Sequence, residues 1–372
     1  MRNRQVMGKE GASSDQTRII YLDALRGLML VIMTFDHIGG PIKNITFQPV
    51  GFVSAAAGFI YLSGFVYGIV YTRKLLESDF KTVRTKSQKR AAVIYLYHIL
   101  MMLVVVVPYL IGLYEAEELA SFREQPVRSF LLYALFLYQP SNMDILPMYV
   151  IFILAGPYIL RTLDAGKWKI MLTISVLLWF VNQVPLLQYT RYDGGEGMID
   201  LGYFNIFCWQ LLFFTGVFFG YAKVTGKFRL PVQKWITVSV ILCAVLCLLV
   251  RHSSAENKLY KLFSFFSDRS SIGLVRLVNF LLIAYLVYVI TNSRTDFLRS
   301  GWLSLLGQHS LQVFVYSICL VYFFQPDKYL VGQMNIWIFI VLDLLLVVTL
   351  TLPAVFHQVA CNRFPGFKRT GL

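Results

Sequence analysis

Four ionisable side chains interrupt one apolar run near the start of this chain, IIYLDALRGLMLVIMTFDHIGGP at 19–41: Asp23, Arg26, Asp36 and His37. The imidazole of His37 can take and return a proton near neutral pH, as general acid–base transfer to a hydroxyl or from a thiol ester requires. The alternative is a helix-end histidine reaching interfacial water beside Gly39-Gly40-Pro41. Arg26 cannot realistically lose its proton, so at membrane depth it needs an anionic partner. Asp23, one turn away, is one such partner, and an anionic ligand such as a phosphate is another. Arg26 and His37 share one helical face about three turns, or ~16 Å, apart. Asp36 points ~100° away from His37, and a direct orienting bond needs the helix to end there, which the glycines permit.

The element that must carry these groups is a membrane helix. Ile19 to Ile38 provides about 20 residues, enough to cross a hydrocarbon core of ~30 Å. A charge at that depth costs at least about 2–3 kcal/mol, so the polar stripe must face the bundle interior or a wet cavity. The whole chain agrees with this setting. Its 372 residues are 57% hydrophobic and 15% charged, with a mean hydropathy of +0.62. Apolar runs of membrane-crossing length recur between short polar loops, which excludes a soluble domain. The net charge of +14 reflects Lys and Arg gathered in cytoplasmic loops, and no nucleic-acid partner is expected. Cys208, Cys243, Cys247 and Cys319 lie in apolar runs and Cys361 in the tail, as small fillers without disulfide or metal roles. No metal-ligand spacing, Gly-rich phosphate loop or internal repeat stands out. The first apolar run is too long for a signal peptide and no small-residue cleavage site follows it, so it is expected to be retained.

The expected fold is all-α and polytopic, with about ten transmembrane helices and both termini cytoplasmic. The spans are 19–38, 51–71, 91–113, 145–162, 170–187, 204–222, 235–250, 272–291, 302–324 and 335–359. Small residues at 54–58 and at Ser63-Gly64 suit close approach of the second span to another helix. Seven Lys/Arg against two acidic residues between Arg73 and Arg90 place that loop inside. Residues 115–145 then lie outside, with 127–138, too short to span, as an interfacial or re-entrant helix. Residues 1–18 form a cytoplasmic tail, 19–359 one transmembrane domain and 360–372 a second cytoplasmic tail.

Other polar residues in these spans have both a structural and a functional reading. Asp144 starts a helix, where a carboxylate caps free N–H groups; acceptor binding is its second reading. Asn205 with Trp209-Gln210 is a polar-aromatic set suited to a sugar ring, or to an aromatic anchor and interhelical hydrogen bonds. Arg276 and Asn279 lie one turn apart; Arg276 can snorkel, and Asp343 in the last span could partner it. His98 and His309 read as structural, and His252 and His357 carry no signal.

Arg26 and His37 reproduce the R-x10-H pattern of the membrane acyltransferase-3 superfamily, and LDALRGLMLVIMTFDHIGGP resembles its OpgC branch. FIYLSGFVYGIVY (59–71), YQPSNMDILPMYV (138–150), LGYFNIFCWQLLFFTGVFFG (201–220) and LGQHSLQVF (306–314) extend the resemblance over nearly the whole chain. It implies a bacterial inner-membrane enzyme that passes an acyl group, in this branch succinyl, from a cytoplasmic CoA thioester to a hydroxyl of a periplasmic glycan such as osmoregulated periplasmic glucan. Acyl-CoA is then a co-substrate, with no tightly bound cofactor and no metal. By the same resemblance His37 is the catalytic imidazole, with Asp36 before it and Arg26 on the donor side with Ser63 and Gly64. Asp144, Asn205, Trp209 and Gln210 fall at acceptor-side positions. One stretch departs from the pattern: where relatives read GFSDAAE, this chain has GFVSAAA, with Ser54 and Ala57 in place of acidic residues. A transporter with an intramembrane Arg/Asp/His pathway is the rival reading, since such residues serve transport equally well. Acyl-group identity, the glycan and the oligomeric state are not legible.

Overall fold

The computed structural model describes residues 7–183, 200–293, 298, 300–324 and 335–363, leaving aside the side chains of 7–19. Among these the architecture is all-α: α1 (Met7–Ile38), α2 (Lys43–Thr46), α3 (Ala55–Glu77), α4 (Phe80–Leu110), α5 (Ala120–Glu124), α6 (Pro126–Ala134), α7 (Ile145–Asp164) and α8 (Trp168–Val181) come first. They are followed by α9 (Ile206–Thr225), α10 (Lys234–Arg251), α11 (Lys258–Phe265), α12 (Leu274–Ser293), α13 (Gly301–Gln308), α14 (Ser310–Phe324), α15 (Ile336–Val348) and α16 (Thr351–Arg363).

Seven described helical stretches are long and apolar enough to cross a membrane, or eight when α13 and α14 count as one bent span. The two remaining expected spans are α1, which is interrupted by its charges, and α8, a shorter apolar helix. Exposed leucines and valines run along α4 (Leu96, Leu100, Leu103, Val107) and α10 (Leu242, Val245, Leu246, Leu249). At helical spacing on an outer surface, such rows face lipid rather than water.

The helices alternate in direction. Near one end of the bundle, Tyr322 at the end of α14 donates to the Ser141 carbonyl before α7 (2.8 Å). Trp179 at the end of α8 donates to the Ile272 carbonyl before α12 (2.8 Å). At the opposite end, Tyr221 of α9 meets Asp164 at the end of α7 (3.4 Å), and Arg161 lies over Phe80 at the start of α4. The short α6 folds back against the middle of α4, where Tyr133 stacks on His98 with ring centroids 4.0 Å apart. This short helix falls in the segment expected to be interfacial or re-entrant, and its contact gives His98 a structural role.

The tightest packing joins α3 to α9. Gly64 and Gly68 on α3 meet the carbonyls of Phe213 and Val217, and Gly216 and Gly220 on α9 meet those of Tyr61 and Phe65. Each helix carries small-x-x-x-small spacing, which lets backbones approach where lipid supplies no hydrophobic driving force. Gly64 therefore serves the helix crossing, and it lines neither of the two cavities described below.

The expected ninth span is corrected in shape. It breaks between α13 and α14 by 90°, because α13 is pressed against α1 through glycines. Gly307 abuts the Asp23 backbone and Gly27 the Leu303 backbone, and the chain must then turn to run along α1. The suggested Asp343–Arg276 pair does not form. Arg276 instead donates to the carbonyls of Phe52 (2.5 Å) and Ser267 (3.2 Å), tying two loops together. Asp343 is 1% exposed, beside Gly40, and neither carboxylate oxygen has a hydrogen-bond partner.

Candidate active site

The polar stripe of α1 leads into a small cavity. Arg26, 7% exposed, donates from Nη2 to Ser310 Oγ at 2.6 Å, while its Nε has no hydrogen-bond partner. Among the described residues Arg26 makes no ion pair, although Asp23 is within electrostatic reach. The cavity, about 40 Å³, lies between α1, α3, α4, α7 and α14, and Arg26, Ser63, Arg90, Tyr149 and Ser310 are its polar lining. The 90° break before Ser310 is what brings the start of α14 to Arg26. Arg90 closes the basic run of 73–90 in the sequence, where it reads as one more cytoplasmic charge. Its place directly before the apolar stretch from Ala91 is the one signal that could have drawn it into the site.

A larger cavity of about 410 Å³ opens at the bundle end that holds the start of α7. Glu118, Tyr138, Gln139, Asp144, Asp200, Tyr203, Asn205 and Ser270 contribute to its wall. A single parallel bridge between Tyr138 and Asp200 shapes one side, with the Gln139 N–H donating to the Asp200 carbonyl at 2.9 Å. The two cavities share the first turn of α7: Asp144 lines the larger, and Ile145 and Leu146 the smaller.

Asp144 stands where a helix cap was expected, but its backbone is already helical (φ −81°, ψ −14°) and its side chain makes no capping bond. Its Oδ2 accepts from the Phe204 N–H at 3.0 Å, and Oδ1 is buried without a partner. The loop reaches over it at Gly202, whose φ of +87° and contact with the Asp144 side chain suit glycine. Burial pushes the Asp144 carboxyl up to about 6 from its ordinary value of 3.8. Asn205 both lines the cavity and caps α9, accepting from Phe207 N–H at 3.0 Å and Cys208 N–H at 3.3 Å. Trp209, 2% exposed, sits behind the wall and donates to the Ser270 carbonyl at 2.8 Å. Gln210 donates to the Ser175 carbonyl at 2.8 Å. The Gln210 bond joins α9 to α8, the interhelical hydrogen bond of its structural reading. The Trp209 bond ties α9 to the loop before α12, and neither residue lines either described cavity.

His37 and Asp36 lie apart from both cavities. The helix continues through Ile38, so Asp36 does not turn towards His37. It accepts instead from Thr46 Oγ1 at 2.7 Å. His37 is partly buried, with the Lys43 ammonium acting on it electrostatically. Ser54 caps α3 by accepting from the Ala57 N–H at 3.4 Å. Ala57 is 1% exposed in the core, where a carboxylate would be costly to bury. One feature went unseen in the sequence: His309 and His357 meet Nδ1 to Nδ1 at 2.8 Å, across helices joined only by the fold.

The long apolar helices and the cavities enclosed among them define a multi-pass membrane protein with polar sites inside its bundle. The chain matches the OpgC protein family over residues 18–360 and belongs to it. No curated protein and no solved structure matches it.

Proposed function

We propose that this protein is an O-acyltransferase of the bacterial inner membrane. It moves an acyl group, in the specific reading succinyl from succinyl-CoA, to a hydroxyl of a periplasmic glycan such as osmoregulated periplasmic glucan. Membership of the OpgC family supports transferase chemistry. The observation that carries the reading is the pair of cavities of opposite character on either side of the first turn of α7. The smaller offers two guanidinium groups, Arg26 and Arg90, and suits an anionic donor. With space for only a few water-sized groups, it takes the acyl end of the donor and not the whole of it. The larger offers carboxylates, amides and tyrosines, the donor–acceptor mixture that hydroxyl groups require.

In the reaction the acceptor oxygen attacks the thioester carbonyl, a C–O bond forms and the C–S bond breaks. His37 takes the hydroxyl proton and returns it to the departing sulfur. Because His37 lines neither cavity, this step needs the first turn of α7 and the end of α1 to open a path between them. Motions of that kind are a common gate in enzymes. Asp144 and Asn205 bind the acceptor, and Arg26 with Ser63 binds the donor.

The test uses the purified protein in nanodiscs with labelled succinyl-CoA and extracted neutral periplasmic glucan. His37→Gln keeps polarity and approximate size but removes the titrating nitrogen, so transfer should fall by about 10²–10⁴-fold. CoA should still raise the melting temperature of that variant, and Arg26→Ala should abolish most of the rise. Near-normal transfer by His37→Gln removes His37 from the mechanism. Absence of any CoA-dependent stabilisation in the parent protein points to another donor or to transport.

A further inference from the structure

The larger cavity has a charge character that bears on which acceptor it admits. Glu118, Asp144 and Asp200 line it, and none of its described lining residues is Lys or Arg. The nearby Arg123 is held elsewhere, in an ion pair with Glu115 at 2.8 Å. The Glu118 carboxylate lies 3.4 Å from the Tyr322 hydroxyl, whose proton goes to the Ser141 carbonyl at 2.8 Å, and Asp200 accepts from the Gly202 N–H at 2.9 Å. Neither neighbour is a cation, so both carboxylates keep their field over the cavity.

A second, independent feature is Gln139. It lines the cavity, is 3% exposed, and neither its amide nitrogen nor its amide oxygen has a partner. A buried amide with both atoms unused costs stability, and such groups in native structures mark a place where something else supplies the bonds. Together with the free Oδ1 of Asp144, the wall presents one unused N–H donor group and two unused acceptor oxygens. A vicinal diol can satisfy all of them, because each hydroxyl both donates and accepts. Tyr138 and Tyr203 add ring faces to the same wall, and the volume of about 410 Å³ falls in the range of ligand pockets, roughly 300–1,000 Å³.

We propose that this cavity selects an uncharged sugar, read by Gln139 and Asp144, and rejects anionic saccharides, including the product once it carries a succinyl half-ester. The inference deepens the acyltransferase reading and rests on it for the identity of the site. The consequence is self-limiting substitution. Transfer of a dicarboxylic acyl group converts a neutral unit into an anion, which Glu118 and Asp200 repel. The modified unit leaves, and the next acylation falls on an unmodified one.

The experiment compares binding of a neutral gluco-oligosaccharide with binding of the same oligosaccharide bearing one succinyl half-ester, by calorimetry on the full-length protein in nanodiscs. The neutral ligand should bind about tenfold more tightly at low ionic strength, with the gap narrowing as salt rises. The double variant Glu118→Gln, Asp200→Asn keeps both hydrogen-bond acceptors and should close most of the gap. Gln139→Met, close in shape and free of the orphaned amide, should melt cooperatively and lose about tenfold in affinity for the neutral ligand. Equal binding of the two ligands by the parent protein, tighter binding of the succinylated one, or no binding of either overturns the proposal. So does unchanged affinity in folded Gln139→Met. Failure of the acyltransferase reading looks different: charge discrimination and Gln139 dependence persist, but no labelled acyl group is transferred.

Discussion

At the scale of single residues, the site is built from polar atoms left over by the fold, and Asp144 shows the cost. Its carboxyl is 4% exposed and sits at about 6 instead of 3.8 because burial penalises the charged form more than the Phe204 N–H compensates. The folded state therefore holds this proton more tightly than the unfolded chain. The resulting stabilisation is complete below pH ~4, declines as pH rises towards about 6, and is gone above it. Ionised at higher pH, Asp144 is a net burden on folding of up to about 3 kcal/mol. Asp144→Asn retains an oxygen to accept from Phe204 and removes the charge. Its melting temperature should exceed that of the parent at pH 8, and the advantage should shrink at pH 5 and vanish near pH 4. Acceptor binding should weaken in the same variant. A melting-temperature difference that is flat across this range would show that burial of Asp144 does not govern its proton. Such stability traded for a binding group is common at functional sites.

At the scale of elements, close helix crossings put the arginines where they are. The α3–α9 pair approaches through Gly64, Gly68, Gly216 and Gly220, and Ser63, one residue from the crossing, is thereby turned to the arginine cavity. Gly64→Leu would drive a side chain into the Phe213 backbone, which cannot yield as a rotamer can. Overpacking of this kind costs ~1–3 kcal/mol or more. Purified Gly64→Leu should melt well below the parent, whereas Phe207→Leu on the exposed flank of α9 should not; equal melting of both would release α3 from its tight register. The spacing of small residues on the second span is legible in the sequence, as is the burial of the stripe on α1. The 90° turn ahead of Ser310 is not, because nothing between Gly307 and Ser310 breaks a helix by composition. It arises from α13 being docked on α1, a tertiary effect that local propensity does not encode. Arg90 escaped for a related reason: a basic run predicts a side of the membrane, and only the packing of α4 on α7 and α14 turns its last member inward.

At the scale of the whole molecule, hydropathy and charge carried most of the fold, because a bilayer leaves few ways to satisfy a backbone. The reach of that logic ends at the site, whose residues lie on α1, α3, α4, α7 and α14 and in loops far apart in the chain. Orientation is the remaining global property, and it decides which cavity faces which compartment. Seven basic residues between Arg73 and Arg90 against two acidic ones predict a cytoplasmic start for α4. The helix is 31 residues long, about 46 Å at 1.5 Å per residue, so its far end emerges on the other side. Glu117 follows that end and is exposed, as Lys81 is at the start of the helix. Glu117→Cys should react with a membrane-impermeant maleimide on intact cells, and Lys81→Cys only after permeabilisation. The acidic cavity, which Glu118 lines, would then open to the periplasm and the arginine cavity would lie towards the cytoplasmic donor. The reverse labelling pattern would turn the molecule over, put the acidic cavity in the cytoplasm and leave a periplasmic glycan no route to it.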